Sequence, residues 1–195
     1  MTLKVGITGG IGAGKSTAAK FFHILQVPIY FADDRAKWLM NHDEAVKNKI
    51  ISLFGHQAYT NNNLNRRLIA EKVFDNQSLL DHLNVIVHPA VGNDFSQWVS
   101  DQKSPYVLKE AALLFESGSY KALDKIIHVS ASEELRIRRI KKRDPQRSEE
   151  EIKSIIAKQW AEDMKKNAAD YVIMNEDQLL IPQILEIDEK LRLGL

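Results

Sequence analysis

A chain of 195 residues is long enough to bury one substantial core and short enough to need no second independent domain. Its hydrophobic content of 44% and charged content of 27%, without repeats or low-complexity tracts, exclude a fibrous or extensively disordered protein. The 27 basic and 26 acidic residues leave a net charge of +1, so no overall field favours nucleic acid or an anionic membrane, and the absence of cysteine excludes disulfides and thiolate chemistry.

The chain opens on "LKVGIT" (residues 3–8), a β-branched run that predicts a buried strand. Gly6, Gly9 and Gly10 interrupt it before a hydrophobic region of useful length forms, so a secretory leader is not expected and a cytoplasmic location is. No segment approaches the length of a membrane span. A helix is predicted from Lys15, with Ala18, Ala19, Phe21, Phe22 and Leu25 on its buried side. "PIYFA" (28–32) predicts a second strand, and "DDRAKWLM" a helix that opens with acidic residues, as the macrodipole prefers. From 43 to 101 the pattern is wholly helical, including "NRRLIAEKVF" and a long stretch from Asn76 that Pro89 is expected to kink or divide. "PYVLKEAALLF" (105–115) and "KIIHVSA" (125–131) predict two more strands, the second followed by a basic helix ending near Asp144 and Pro145. Ser148 and Glu151 have the spacing of a capping box, heading a helix expected to bury Ile152, Ile155, Ile156, Trp160 and Met164. "DYVIMN" predicts a last strand before a C-terminal helix. This alternation argues for an α/β fold, a doubly wound parallel sheet with helices on both faces.

Residues 9–16 satisfy G-x-x-x-x-G-K-[ST], after a predicted strand and before a predicted helix, which is the context a phosphate-binding loop needs. Glycines let backbone N–H groups turn inward around phosphate oxygens, so Gly10, Ile11, Gly12, Ala13, Gly14, Lys15, Ser16 and Thr17 are the candidate nucleotide-binding segment. The helix N-terminus adds a positive dipole end, the Lys15 ammonium reaches the β and γ phosphates, and the Ser16 hydroxyl is a Mg²⁺ ligand. A dinucleotide fingerprint is excluded by spacing: its third glycine falls on Lys15 counting from Gly10, or on Thr17 counting from Gly12. Neither D-x-x-G nor N-K-x-D occurs, which excludes a switch GTPase and leaves a small-molecule kinase or an ATPase.

A kinase needs a carboxylate to orient and deprotonate its acceptor, and Asp33 and Asp34 follow the second strand where such a group belongs, although helix capping alone would account for one of them. Arg136, Arg139, Arg143 and Arg147 are spaced three, four and four, so at least the first three share a helix face, opposite Ile137 and Ile140. Such a row either clamps a transferring phosphoryl group or is a solvated face. "SEEE" just after it, and the lack of interleaved aromatics, argue against a nucleic-acid patch. Glu116, at the expected end of the 105–115 strand, either approaches metal or substrate or caps a helix. The six histidines show no H-x-x-x-H or H-E-x-x-H spacing, which argues against a histidine metal site, and His88 before Pro89 reads as structural.

Taken in order, "TGGIGAGKST", "ADDRA", "LNRRLIAEKVF", "HPAV", "ALLFESG", "RIRRIKKRD" and "AADYVIMN" resemble the dephospho-coenzyme A kinase family over nearly the whole chain. The resemblance implies transfer of the ATP γ-phosphoryl group, with Mg²⁺, to the ribose 3′-hydroxyl of dephospho-coenzyme A, giving coenzyme A and ADP in the last step of coenzyme A synthesis. It implies one P-loop kinase domain, with a core over about 1–42, 104–135 and 167–195, a helical acceptor-binding insert over about 43–103, and a lid over about 136–166. The implied partner is the small-molecule substrate, with neither nucleic acid nor membrane. Carried over by position, Asp33 is the general base, Lys15 and Arg139 are catalytic, and Arg139 and Arg143 contact ATP from the lid. Asn175 falls in the adenine-binding loop, and Arg66, His88 and Glu116 fall on the acceptor side. Three positions depart from the family pattern: Phe31 replaces the first aspartate of D-A-D, Asn65 precedes Arg66 where aspartate is usual, and Ala112 stands in place of a proline. None of these removes a group on which the transfer depends.

Overall fold

The computed structural model describes residues 2–74 and 76–194. In chain order its elements begin with β1 (Leu3–Gly9), α1 (Lys15–Ile24), β2 (Ile29–Phe31), α2 (Ala32–His42), α3 (Glu44–Phe54), β3 (Tyr59–Thr60), β4 (Asn63–Leu64), α4 (Arg66–Phe74) and α5 (Gln77–Ser100). They continue with β5 (Tyr106–Glu110), β6 (Lys125–Ser130), α6 (Glu133–Arg143), α7 (Glu149–Ala157), α8 (Glu162–Ala168), β7 (Tyr171–Met174) and α9 (Leu180–Leu193). Two compact units result: the chain up to Phe31 and again from Asp101, and the span Ala32–Ser100.

The first unit is built on a five-stranded parallel sheet in the order β2-β5-β1-β6-β7, as the strand-helix alternation predicts. Side chains alternate across each strand, so Val5 and Ile7 of β1, Tyr106 and Leu108 of β5, Ile127 and Val129 of β6 and Ile173 of β7 share one face. Ala18, Ala19 and Phe22 of α1 and Ile184, Ile187 and Leu191 of α9 pack onto that face. The intervening residues form the second face, where Gly6 lies under Leu114 and Leu123, and His128 meets α8. With both faces covered, the strands read as continuous apolar runs rather than as alternating ones. Arg192 of α9 reaches back to the Leu25 carbonyl, and Tyr106 donates to buried Asp188, so the last helix is tied to α1 and the sheet by polar bonds as well.

The second unit packs α2, α3, α4 and α5 around Val46, Ile50, Phe54, Ala58 and Ile69. Asp43 caps α3 through the Val46 N–H, and Asn65 caps α4 through the Leu68 N–H, which gives the asparagine at that departure a local structural task. Two sequence expectations change here, and a third is narrowed. α2 makes its contacts with α3 and α5 of this unit, where the strand-helix rhythm grouped it with the sheet. The unit also holds a short β3–β4 hairpin, whose turn places Asn61 and Asn62 at positive φ, a conformation asparagine tolerates. Pro89 lies inside α5 without dividing it, and a bidentate Arg35–Asp94 pair fastens that helix to α2.

The capping box at Ser148 and Glu151 forms as predicted, but α7 ends at Ala157. Trp160 therefore sits in the link to α8, stacked 5.4 Å from Phe115, and Met164 is exposed on α8 itself. The break follows from competition for backbone groups: the Trp160 N–H is taken by the Glu116 carboxylate, not by a carbonyl of the preceding turn. No helix among the described residues is long and apolar enough to cross a membrane.

Phe22 is fully buried between α1 and the sheet. Phe22→Ala should cost about 3–5 kcal/mol of stability, read as a lower urea midpoint. A loss below about 1 kcal/mol would mean that α1 is not packed as described.

Candidate active site

The loop between β1 and α1 wraps a cleft of about 220 Å³ lined by Gly10, Gly12, Gly14, Lys15, Ser16, Thr17, Arg139, Ile140 and Arg143. Gly12 and Gly14 hold φ of 81° and 95°, so the turn depends on residues without a Cβ. Ala13 N–H closes onto Gly10 O at 3.0 Å, and Gly14 caps α1 through its carbonyl, which leaves the helix N-terminus and the loop amides facing the cleft.

Glu110, the last residue of β5, lies beside the start of α1. Its carboxylate accepts from Ser16 Oγ at 3.0 Å and lies 3.6 Å from Lys15 Nζ. The apolar continuation through Leu113, Leu114 and Phe115 predicts a strand running on to Glu116; the strand ends at Glu110 instead, so the sequence pattern passes over this acid. The signal that finds it is an acidic residue closing a strand that is buried along its length.

Glu116 sits past the strand, where it accepts from Trp160 N–H at 2.8 Å and pairs with buried Lys165 at 2.9 Å. Its other oxygen, Oε2, is buried with no hydrogen-bond partner among the described residues. In this arrangement Glu116 joins the β5 end to the α7–α8 link.

The arginines of α6 divide. Arg139 and Arg143 line the cleft; Arg139 donates to Ala13 O and Asn175 O, while Arg143 pairs with Asp144 at 2.9 Å. Arg136 is buried behind the loop and donates from Nε to Ile11 O at 3.0 Å. Ile140, expected on the opposite face from the arginines, is buried beside the cleft with them. The solvated-face alternative thus fails for Arg136 and holds partly for Arg147, whose side chain is 40% exposed near Asp144.

Asn175, just after β7, donates from its side-chain amide to Ala13 O at 2.7 Å, so it buttresses the same turn. Ile11 N–H is held by Gln159 Oε1 at 3.0 Å. Asp33 is exposed in the first turn of α2, next to Asp34, which pairs with Lys37. Arg66 opens α4 and is exposed, and His88 is exposed on α5. The structure therefore gathers Lys15, Ser16, Arg139, Arg143 and Asn175 around one loop, and adds Glu110, Arg136 and Gln159, which the motif does not announce. Arg66 and His88 lie with Asp33 in the helical unit.

The dephospho-CoA kinase family model matches residues 3–180. The chain belongs to the dephospho-CoA kinase family. As a dephospho-CoA kinase it takes ATP and phosphorylates a small-molecule substrate, dephospho-CoA, to coenzyme A, the last step of coenzyme A biosynthesis. It is similar to the dephospho-CoA kinase of Porphyromonas gingivalis, with 36% identity over 191 residues, 97% of this chain and 95% of that protein. The Bacteroides fragilis dephospho-CoA kinase is 35% identical over 189 residues, 96% of this chain and 92% of its own. Among solved structures, a Thermus thermophilus protein superposes with a TM-score of 0.84 at 30% identity, covering 99% of this chain and 97% of that one. A dephospho-CoA kinase from Campylobacter jejuni gives a TM-score of 0.73 at 25% identity, covering 100% and 99%. A shikimate kinase from Acinetobacter baumannii, at 14% identity and a TM-score of 0.53 over 100% and 94% of the two chains, shares the fold.

One carboxylate of this kinase titrates abnormally next to the loop machinery. Burial pushes Glu162 up, but the hydrogen bonds from His128 and Ser130 and the nearby His128 and Arg136 charges outweigh it and hold the group at about 2, below its ordinary 4.5. A depressed carboxylate contributes stability above its unfolded value, and that contribution is lost as pH falls through the folded one. The denaturant midpoint of Glu162→Gln should therefore fall less steeply than wild type between pH 4.5 and about 2. Parallel curves for the two proteins would contradict the assignment.

Proposed function

We propose that the enzyme transfers the ATP γ-phosphoryl group to the ribose 3′-hydroxyl of dephospho-CoA with Asp33 as general base, in a site completed by Lys15, Arg139, Arg143 and a Mg²⁺ ion. The observation that carries this reading is the cleft over the β1–α1 loop, where backbone amides, Lys15 and two arginines surround space of about 220 Å³ and a hydroxyl touches a carboxylate at its edge.

The loop amides and the α1 N-terminus hold the α and β phosphates, because N–H groups that already point inward need no reorganisation to meet negative charge. Lys15 moves its charge from Glu110 to the β and γ phosphates. Arg139 and Arg143 neutralise the equatorial oxygens of the group in flight. Asp33 accepts the 3′-hydroxyl proton as that oxygen attacks the γ-phosphorus; the bond to the β-phosphate oxygen breaks and ADP leaves. Arg66 and His88 hold the acceptor, and Asn175 lies against the nucleotide.

A small, hard divalent cation fits the donor chemistry at the cleft edge. Ser16 Oγ and Glu110 are oxygen ligands already 3.0 Å apart, and Mg²⁺ takes one or two such protein oxygens together with phosphates and water. Bound there, it would supply positive charge that neutralises the phosphates of the nucleotide. The stretch from α6 to α8 acts as the lid, excluding water once both substrates are present.

Incubation with ATP, Mg²⁺ and a panel of hydroxyl acceptors should phosphorylate dephospho-CoA alone, at the 3′ position; preference for another acceptor, or hydrolysis without any, would contradict the reading. Asp33→Asn should lower kcat by about 10² to 10⁴ with ADP affinity near that of wild type. An unchanged kcat would remove Asp33 from the mechanism.

A further inference from the structure

Arg136 belongs to the same helix as the cleft arginines but does not face the cleft. Its side chain is 6% exposed, and it lies behind the loop: Nε donates to Ile11 O at 3.0 Å, and Nη1 lies 3.5 Å from Glu162 Oε2. A Cβ on Gly10 would stand 2.5 Å from its guanidinium carbon, and one on Gly12 would stand 2.7 Å from its carbonyl oxygen. Arg136 is thus the floor on which two loop glycines rest. Ile11 is gripped at both of its backbone groups, its carbonyl by Arg136 and its N–H by Gln159 Oε1 at 3.0 Å. Glu162 holds the guanidinium from the far side and is fixed in turn by buried His128 on β6, at 2.8 Å.

We propose that Arg136 is a positioning residue for nucleotide binding, with Glu162 holding its guanidinium in place, and that it acts by fixing the Ile11 peptide and not by touching a phosphate. A glycine-rich loop loses much conformational freedom when it orders. A ligand that must order its own site binds more weakly by that cost, so a loop already fixed from behind binds better. The planar guanidinium meets a carbonyl from Nε and a carboxylate from Nη1 in a fixed geometry, whereas lysine offers a point charge at one end of a flexible stem.

Because the loop cradles the α and β phosphates, this role predicts equal losses for ADP and ATP. A γ-phosphate contact would instead spare ADP and lower kcat. The inference rests on the loop being the nucleotide site, which wild-type ADP binding tests by itself in the same series. Calorimetric titration with ADP and steady-state kinetics should be run on wild type, Arg136→Gln, Arg136→Lys, Glu162→Gln and the Arg136→Gln/Glu162→Gln double variant. Loss of one hydrogen bond to a charged group predicts about tenfold weaker ADP binding and about tenfold higher KM for ATP in Arg136→Gln, with kcat at saturation changed by less than about threefold. Glu162→Gln should weaken ADP by about threefold, Arg136→Lys should recover only part of the loss, and the double variant should be no worse than Arg136→Gln, since the two residues act as one unit. Unchanged ADP affinity in Arg136→Gln, a loss confined to kcat, or additive losses in the double variant would each overturn the proposal. If Arg136→Gln does not fold, Glu162→Gln decides: wild-type ADP affinity there overturns it. No ADP binding by wild type would sink the nucleotide-site reading instead.

Discussion

The backbone of Ile11 is where the requirements of this molecule meet. A loop that presents its amides to phosphate must be rich in glycine, and a loop rich in glycine has little conformational preference of its own. Its shape therefore has to be imposed from outside. Here the imposing groups come from widely separated parts of the chain: Arg136 on α6, Gln159 between α7 and α8, and Asn175 after β7, all bonding loop carbonyls or amides at 2.7–3.0 Å. The cleft lies on the front of the loop, and the back of the loop is occupied by the protein.

The parallel sheet makes that convergence possible. With β1 at its centre and β5 and β6 on either side, the carboxyl ends of five strands open onto one edge. The segments leaving those ends carry the loop, Glu110, α6 and Asn175, as open α/β sheets do at the point where strand order reverses. Charge balance follows the same geometry. Lys15 and Glu110 lie 3.6 Å apart, so neither is left as an isolated buried charge. Glu116 and Lys165 form a second such pair on the other face of the sheet, where they hold the α7–α8 link that carries Gln159 and leads into Glu162 of α8.

The loop, the strand-helix alternation and the capping box were legible because each depends on local spacing. So were the burial of Ala18, Ala19 and Phe22 and the helices of the 43–101 stretch, which follow from periodicity, though not the hairpin at 59–64. Glu110 was hidden because Ala111 to Phe115 stay apolar after the strand has turned, and hydrophobicity alone does not mark where pairing stops. The division between Arg136 and its neighbours was hidden for another reason. Residues three and four apart share a helix face, but which edge of that face meets a partner is decided by Gly10 and Ile11, more than a hundred positions away. The α7–α8 break at Trp160 likewise depends on Glu116, which only the tertiary fold brings to it.

The proposed nucleotide site stands on loop amides held in place from behind, with the cations of Lys15, Arg139 and Arg143 completing it. Backbone ¹H–¹⁵N spectra recorded as Mg²⁺–ADP is added test it most directly. The account predicts the largest shifts at Gly12, Gly14, Lys15, Ser16 and Thr17, saturating together. Saturable ADP binding that left those amides unmoved, with its largest shifts elsewhere in the chain, would contradict it.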